Sequence, residues 1–295
     1  MIKQKSCYAV ITGKPNVGKS TLLNSIFKRK IAITSYKPHT TRNRIKAIYN
    51  ADNLSILFMD TPGYHVSRTK LDMFLNSEIK SSYKIADCAL LLIDASRPID
   101  DEDKKIIEIL QSYDILNVIL VITKIDLIDE NRIANVKRDI GALIPYKDVV
   151  AITCKKETPD LTPLIKTIEK YARDGALTQE ENLENDDFII CELVREQIIL
   201  NTKQEIPYAC AVVVEHKEYD KVKNMFTINA NIVVDKESQI SIILGKNGQM
   251  IKKIGTRARM EMLKIFNCHI NLKLFVKLEK DWRDNELFLK QIKFH

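Results

Sequence analysis

One octapeptide constrains the fold more than any global property of the chain: GKPNVGKS, Gly13 to Ser20, entered from the apolar run CYAVIT and left through TLLNSIF. A β-prone apolar run, a glycine-rich turn and an amphipathic run read as strand, loop and helix. That is the context in which backbone N–H groups converge on phosphate oxygens at a helix N-terminus. Gly13 and Gly18 let the main chain approach a phosphate, and Lys14, Pro15, Asn16 and Val17 make the turn between them. Lys19 can reach the β- and γ-phosphates, the Ser20 hydroxyl can ligate Mg²⁺, and Thr21 continues into the helix. The expectation is a nucleotide-binding α/β domain.

The following sequence fits that expectation. LSILFMD, CALLLIDA, NVILVITKID and DVVAIT are continuous apolar runs rather than alternating ones, and DEDKKIIEILQSYD between two of them is amphipathic with a helical period. Strands buried on both faces produce such runs, so the reading is a mostly parallel sheet with helices on both faces. With 295 residues, 45% of them hydrophobic, the chain can bury two cores of ordinary size. The longest apolar runs fall far short of the roughly 20 residues a membrane-spanning helix needs, and no signal-peptide pattern follows Met1. The six cysteines and five histidines are scattered, without the short spacings of a zinc or redox site.

RDGALTQEENLENDD, residues 173–187, breaks the pattern with polar and acidic residues and reads as a linker. Beyond it the order becomes helix, strand, strand, glycine loop, helix, strand, a smaller α+β domain. The net charge is +7, and its position matters more than its size. From Gly245 onward 12 Lys and Arg face 5 Asp and Glu, so the whole surplus lies in the last fifth of the chain. A concentrated excess of one sign points to a polyanion, with nucleic acid ahead of an acidic membrane surface.

Three further motifs narrow the chemistry. TKID closes an apolar run, which places Thr123, Lys124 and Asp126 at the carboxyl edge of the sheet, where open α/β folds bind ligands. A carboxylate there can accept the N1–H and amino N–H of guanine together, a donor pair that adenine lacks. DTPG ends another strand and supplies Asp60 for the Mg²⁺ shell and Thr61, Pro62 and Gly63 around the γ-phosphate. HTTRN lies between, and Thr40 and Thr41 are candidates for a segment ordered by Mg²⁺ only when the γ-phosphate is present.

The ordered set GKPNVGKS, HTTRN, DTPG, TKID and ITCKK resembles the Era family of GTPases, and VREQIILNTKQEIPYA and VKLEKDW resemble segments of that family's second domain. The resemblance implies a GTPase domain over residues 1–172 and a type II KH RNA-binding domain over 188–295. It also implies GTP hydrolysis with Mg²⁺ held by Ser20, Thr41 and Asp60, and binding of the 3′ end of 16S-type rRNA during 30S subunit assembly. The implied location is the cytoplasm, with peripheral contact at the inner face of the membrane, as a monomer. Lys19, Thr41, Asp60, Gly63 and Asn16 are the expected catalytic set; Asn16 matches an asparagine that helps hold K⁺ in related GTPases.

Three features depart from the family: Thr123, the pair Thr153 and Cys154, and the linker, whose sequence differs from the usual one. Thr123 stands where the base-reading motif begins with Asn, and its shorter side chain cannot make both amide contacts. Thr153 and Cys154, before Lys155, replace the usual Ser-Ala beside the base, where backbone contacts do not need the side chain. Tyr64 follows DTPG in place of the glutamine that orients water in many GTPases; the family carries a hydrophobic residue there.

LGKNGQMIKKIG, Leu244 to Gly255, lacks the Lys-Ser/Thr ending of a nucleotide loop but contains G-x-x-G. In KH domains that loop clamps about four nucleotides of single-stranded RNA. Gly245, Asn247 and Gly248 would admit the backbone, Lys246, Lys252 and Lys253 neutralise it, and Ile243, Ile251 and Ile254 wall the base groove. The alternative reading is an RNA chaperone module with a weak or partner-dependent GTPase site. A tandem-type GTPase is disfavoured by the single phosphate loop, and an ATPase by Asp126.

Overall fold

The computed structural model describes residues 4–28, 30, 45–60, 69–155, 159–177, 186–203 and 206–291. The described residues fall into two compact units, one from 4–28, 30, 45–60, 72–155 and 159–177, the other from 69–71, 186–203 and 206–291.

In the first unit β1 (Lys5–Thr12) leads through the phosphate loop into α1 (Lys19–Phe27). Then follow β2 (Ile45–Ala51), β3 (Leu54–Asp60), α2 (Lys70–Ile85), β4 (Cys88–Asp94), α3 (Asp101–Gln111), β5 (Val118–Thr123), a 3₁₀ turn (Ile125–Leu127), α4 (Glu130–Gly141), β6 (Asp148–Ala151), α5 (Thr162–Glu169) and β7 (Arg173–Asp174). The sheet order is β2-β3-β1-β4-β5-β6. β1 is parallel to β3 and β4, and β4, β5 and β6 continue parallel, while β2 runs antiparallel to β3. The apolar runs become strands because every residue of β3, β4 and β5 is buried, and seven of the eight in β1. Order reverses at β1, and β1, β3, β4, β5 and β6 end at one carboxyl edge, the position where such sheets bind ligands.

Two features were not foreseen. β2, an edge strand with Lys46 and Asn50 exposed, carries too weak an apolar pattern to be read from sequence. Arg173 and Asp174, placed in the linker by composition, pair antiparallel with Lys5 and Ser6, and the Arg173 guanidinium lies 4.5 Å over the Tyr8 ring.

The second unit contains α6 (Asp186–Asn201), a one-turn α7 (Ile206–Ala209), β8 (Cys210–Asp220), β9 (Met225–Val234), α8 (Glu237–Leu244), α9 (Gln249–Phe266), β10 (His269–Leu278) and α10 (Glu286–Gln291). Its sheet order is β10-β9-β8, with β8 antiparallel and β10 parallel to β9. A parallel neighbour needs a crossover, and α8, the glycine loop and α9 provide it. α8 is thus a correction to the sequence reading, which ran straight from strand to loop. Its eight residues, ESQISIIL, are too short for a clear helical period. Residues from α6, α8 and α9 pack on one sheet face around Ile228, Ala230, Ile232 and Val234. Asp186 and Asp187, the last two residues of the composition-based linker, open α6 and hold Lys217 at 3.5 and 2.8 Å. Among the described residues no helix is long and apolar enough to cross a membrane.

Candidate nucleotide site and glycine-loop groove

The loop after β1 needs its glycines. Gly13 has φ +145°, and a Cβ there would stand 2.6 Å from the Leu92 carbonyl oxygen; Gly18 has φ +108°. Asn16 takes the left-handed conformation at φ 65°. The buried Lys19 ammonium donates to the carbonyls of Gly13 (2.8 Å) and Lys14 (2.9 Å), which holds it over the loop. Burial lowers its pKa, opposed by the charges of Asp60 and Glu102.

Asp60 ends β3 with no exposed surface, and among the described residues neither carboxylate oxygen has a hydrogen-bond partner. Burial pushes it up to about 6 against the counter-pull of Lys19. A buried carboxylate with two unsatisfied acceptors is costly. Such a pair suits the water shell of a divalent cation, so these residues fit Mg²⁺. Ser20, the second residue of α1, is half-buried; Thr21 is exposed. Thr40, Thr41, Thr61, Pro62, Gly63 and Tyr64 lie outside the described residues.

At the end of β5, Lys124 takes a left-handed conformation and its Nζ lies 2.6 Å from Asp94 Oδ2. Asp126 follows in the 3₁₀ turn. Thr153 Oγ1 donates to Asp126 Oδ1 at 2.6 Å, the Lys155 N–H donates to Thr153 Oγ1 at 3.2 Å, and Lys155 Nζ lies 3.6 Å from Asp126 Oδ2. The Thr153 hydroxyl first, and the Lys155 charge after it, hold Asp126 below the usual carboxylate range. It therefore stands as an ionised acceptor whose orientation Thr153 fixes. Cys154 is half-buried beside it, its thiol pushed up by burial.

Two residues assigned to the nucleotide from sequence spend their side chains elsewhere. Thr123 is buried; its Oγ1 donates to the Val17 carbonyl at 2.8 Å and lies 3.1 Å from the Ile93 carbonyl. The hydroxyl therefore braces the phosphate loop against β4 and β5 instead of reaching a base. Lys14 is 6% exposed, with Nζ 2.7 Å from Asp100 and 2.9 Å from Asp103, the capping-box pair of α3. Desolvation lowers its pKa but the two carboxylates outweigh it, so Lys14 is a strut between loop and helix. Neither role is visible without the spatial neighbours.

In the second unit Gly245 has φ +69°, and a Cβ there would stand 2.6 Å from Met250 Cβ. Gly248 caps α9 at φ 73°, and Asn247 between them is left-handed at φ 52°. Lys246, Lys252 and Lys253 are exposed around this turn. A groove of about 420 Å³ runs between α9 and β10, lined by Ile251, Lys252, Gly255, Thr256 and Arg259 on the helix and by Ile270, Asn271, Leu272 and Leu274 on the strand.

Ile243 and Ile254 are corrections: both are 0% exposed and belong to the core. On α9, residues 254, 258 and 262 turn inward while 251, 255 and 259 face the groove, as a 3.6-residue period requires. Arg259, Thr256 and Asn271 were missed, because only the fold brings β10 beside α9.

A switch-point phosphate loop, an orphaned buried aspartate and an ionised carboxylate held after β5, in a chain that also carries a glycine-loop α+β unit, define a P-loop GTPase carrying a KH domain. Residues 8–124 match the family model described as 50S ribosome-binding GTPase, and residues 205–283 match the KH domain model. GTPase Era of Ureaplasma parvum serovar 3 is 41% identical over 301 residues, covering 99% of this chain and 98% of the relative. GTPase Era of Syntrophus aciditrophicus is 39% identical over 99% of this chain and 95% of its own. The chain belongs to the Era GTPase family. Its structure superposes on a tyrosine-to-alanine variant of Aquifex aeolicus Era bound to GDP·AlF4⁻ with a TM-score of 0.90 and 33% identity, covering 98% of this chain and 99% of that one. A second Era structure, in complex with MgGDPNP and nucleotides 1506–1542 of 16S ribosomal RNA, matches at TM-score 0.88 and 34% identity over the same shares.

Proposed function

We propose that this chain is a GTP-hydrolysing switch that binds the 3′ end of small-subunit rRNA and assists a step of 30S assembly. The observation that carries the reading is the buried Asp60, both oxygens unsatisfied, in the field of the loop-held Lys19. In this reading Lys19 takes the β- and γ-phosphates, with Gly13, Asn16, Val17 and Gly18 lending backbone. Ser20, Thr41 and Asp60 hold Mg²⁺, which neutralises charge on the transferring phosphate. Asn16 helps hold K⁺, and Gly63 senses the γ-phosphate. Asp126, aligned by Thr153, selects guanine, with Cys154 and Lys155 beside the base. Gly245 to Gly248 admit the RNA backbone, and Lys246, Lys252 and Lys253 neutralise it. The protein works as a cytoplasmic monomer with peripheral membrane contact through its basic end.

A second reading, an RNA chaperone with weak turnover, is favoured by the single fact that Thr123 donates to main-chain carbonyls. One experiment separates the two: turnover of GTP, with ATP as control, in potassium and in sodium buffers, with and without an RNA matching the rRNA 3′ end. GTP-selective turnover raised by potassium and RNA supports the switch. RNA binding without turnover in any buffer supports the chaperone. Absence of RNA binding sinks both.

A further inference from the structure

Strand β10 has two faces. One, with Ile270, Leu272 and Leu274, lines the groove; the other carries Lys273, Phe275 and Lys277, all exposed. Phe275 is 52% exposed, an uncommon position for so large an apolar ring on an edge strand. Neither lysine has an ion-pair partner among the described residues. On β9 the register places Asn229 beside Lys273 and Asn231 beside Phe275, and among the described residues the Asn229 carboxamide oxygen has no hydrogen-bond partner. Trp282, Phe288 and Leu289 cover the end of this face at Ala211 and Val233 and leave Phe275 open.

An exposed ring between two unpaired lysines on a sheet is the chemistry of a single-stranded nucleic-acid platform: any base has a π-face for the ring, and the ammonium groups take the flanking phosphates. We infer that RNA held in the glycine-loop groove continues over the β10 edge onto the outer face, stacking one base on Phe275 with phosphates on Lys273 and Lys277. The inference rests on the RNA-binding reading above and adds a second surface to it. Glu215 of β8 reaches Asn231, whose Nδ2 donates to its Oε1 at 2.6 Å, so a carboxylate stands one strand from Phe275 and repels a phosphate chain from crossing toward β8.

The test exploits a sequence accident. The chain has one tryptophan, Trp282, and it is 1% exposed, so Phe275→Trp adds the one solvent-facing indole. RNA comprising the 3′-terminal segment of 16S rRNA is titrated into the full-length variant and the natural protein, with tryptophan emission and the anisotropy of end-labelled RNA read together. The expected result is RNA-dependent quenching in Phe275→Trp and little in the natural protein. Phe275→Ala should weaken binding about tenfold, the scale of one base stacked on an aromatic ring. Lys273→Ala with Lys277→Ala should flatten the salt dependence of binding. Anisotropy showing tight binding by both proteins without quenching, and with Phe275→Ala unaffected, overturns the inference and leaves the groove reading standing. Loss of RNA binding by the natural protein itself overturns both. Protein-concentration-dependent quenching without RNA would show two copies pairing along the β10 edge, and would also overturn it.

Discussion

Replacing Asp60 by asparagine should stabilise the nucleotide-free protein, although Asp60 is proposed to serve the bound state. In the unfolded chain this carboxyl titrates at 3.8; burial raises it to about 6 in the fold. At one unit per 1.36 kcal/mol, the ionised group costs the folded state about 3 kcal/mol at about pH 7.5 relative to its protonated form. The sign follows from proton uptake. Between the two pKa values the folded protein binds more protons than the unfolded one, so stability falls as pH rises through this window. Asparagine mimics the protonated form at every pH. With EDTA and no nucleotide, Asp60→Asn should therefore exceed the natural protein by up to about 3 kcal/mol at about pH 7.5, and by about half of that at about pH 5. At roughly 2–4 °C per kcal/mol, the larger gap is a melting shift on the order of 6–12 °C in the transition of the first unit. Saturating Mg²⁺ and GDP should reverse the order, because ligand linkage then favours the intact carboxylate. Thermal melts by fluorescence across that pH range, with and without Mg²⁺·GDP, decide the matter. An Asp60→Asn protein less stable than the natural one in EDTA at about pH 7.5, or a gap that does not shrink toward about pH 5, would refute the reasoning.

Three other substitutions probe separate links. Thr123→Val removes the donor to the Val17 carbonyl at nearly constant volume, so stability should fall by about 1–3 kcal/mol and GDP affinity with it, while Thr123→Ser keeps both; equal GDP titrations for all three proteins would reject the brace. Asp126→Asn exchanges an ionised acceptor for an amide, and GTP affinity should drop at least about 100-fold while xanthosine triphosphate, whose C2 carries an oxygen in place of the amino group, gains; competition binding checks the inversion. Gly245→Ala puts a Cβ 2.6 Å from Met250 in a backbone conformation of φ +69°, costing about 1–3 kcal/mol. RNA affinity should fall in filter binding with RNA-free GTP turnover unchanged.

Elements buried on both faces were legible in the sequence, because burial leaves an unbroken apolar run: β1, β3, β4 and β5 are of this kind. β2 was not, since an edge strand needs only one side apolar and Lys46 and Asn50 interrupt it. Among candidate site residues, the motif alone foretold the loop conformation of Gly13 and Gly18 and the position of Lys19 at the start of α1. Asp60 and Asp126 were placed by strand ends. Thr123 and Lys14 were not legible, because their partners, Val17 on another element and Asp100 with Asp103 on α3, are brought near only by the sheet. Ile254 failed for a different reason: with 251 and 254 both isoleucine, the sequence does not say which faces the groove until Ala258 and Met262 fix the inward face.

The two glycine loops share residue types and differ in burial, and burial decides what each can hold. Lys19 is 8% exposed and fastened to two carbonyls, so its charge acts through a poorly screened interior on a ligand enclosed at a helix N-terminus. Such a site suits a compact, highly charged phosphate chain and can discriminate one phosphate more or fewer. Lys246, Lys252 and Lys253 are exposed, with no ion pair among the described residues, around a turn whose glycines leave the backbone bare. Their charges are screened within a Debye length, and the groove beside them lies between α9 and β10 with Lys252, Thr256 and Arg259 exposed on its rim. That arrangement suits a polymer entering and leaving at both ends, held by many weak contacts. The affinity of the second loop should therefore fall steeply with salt, and that of the first should hardly change. Parallel titrations of RNA and of Mg²⁺·GDP at rising potassium chloride test this directly. Equal salt slopes would mean that exposure is not what separates the loops.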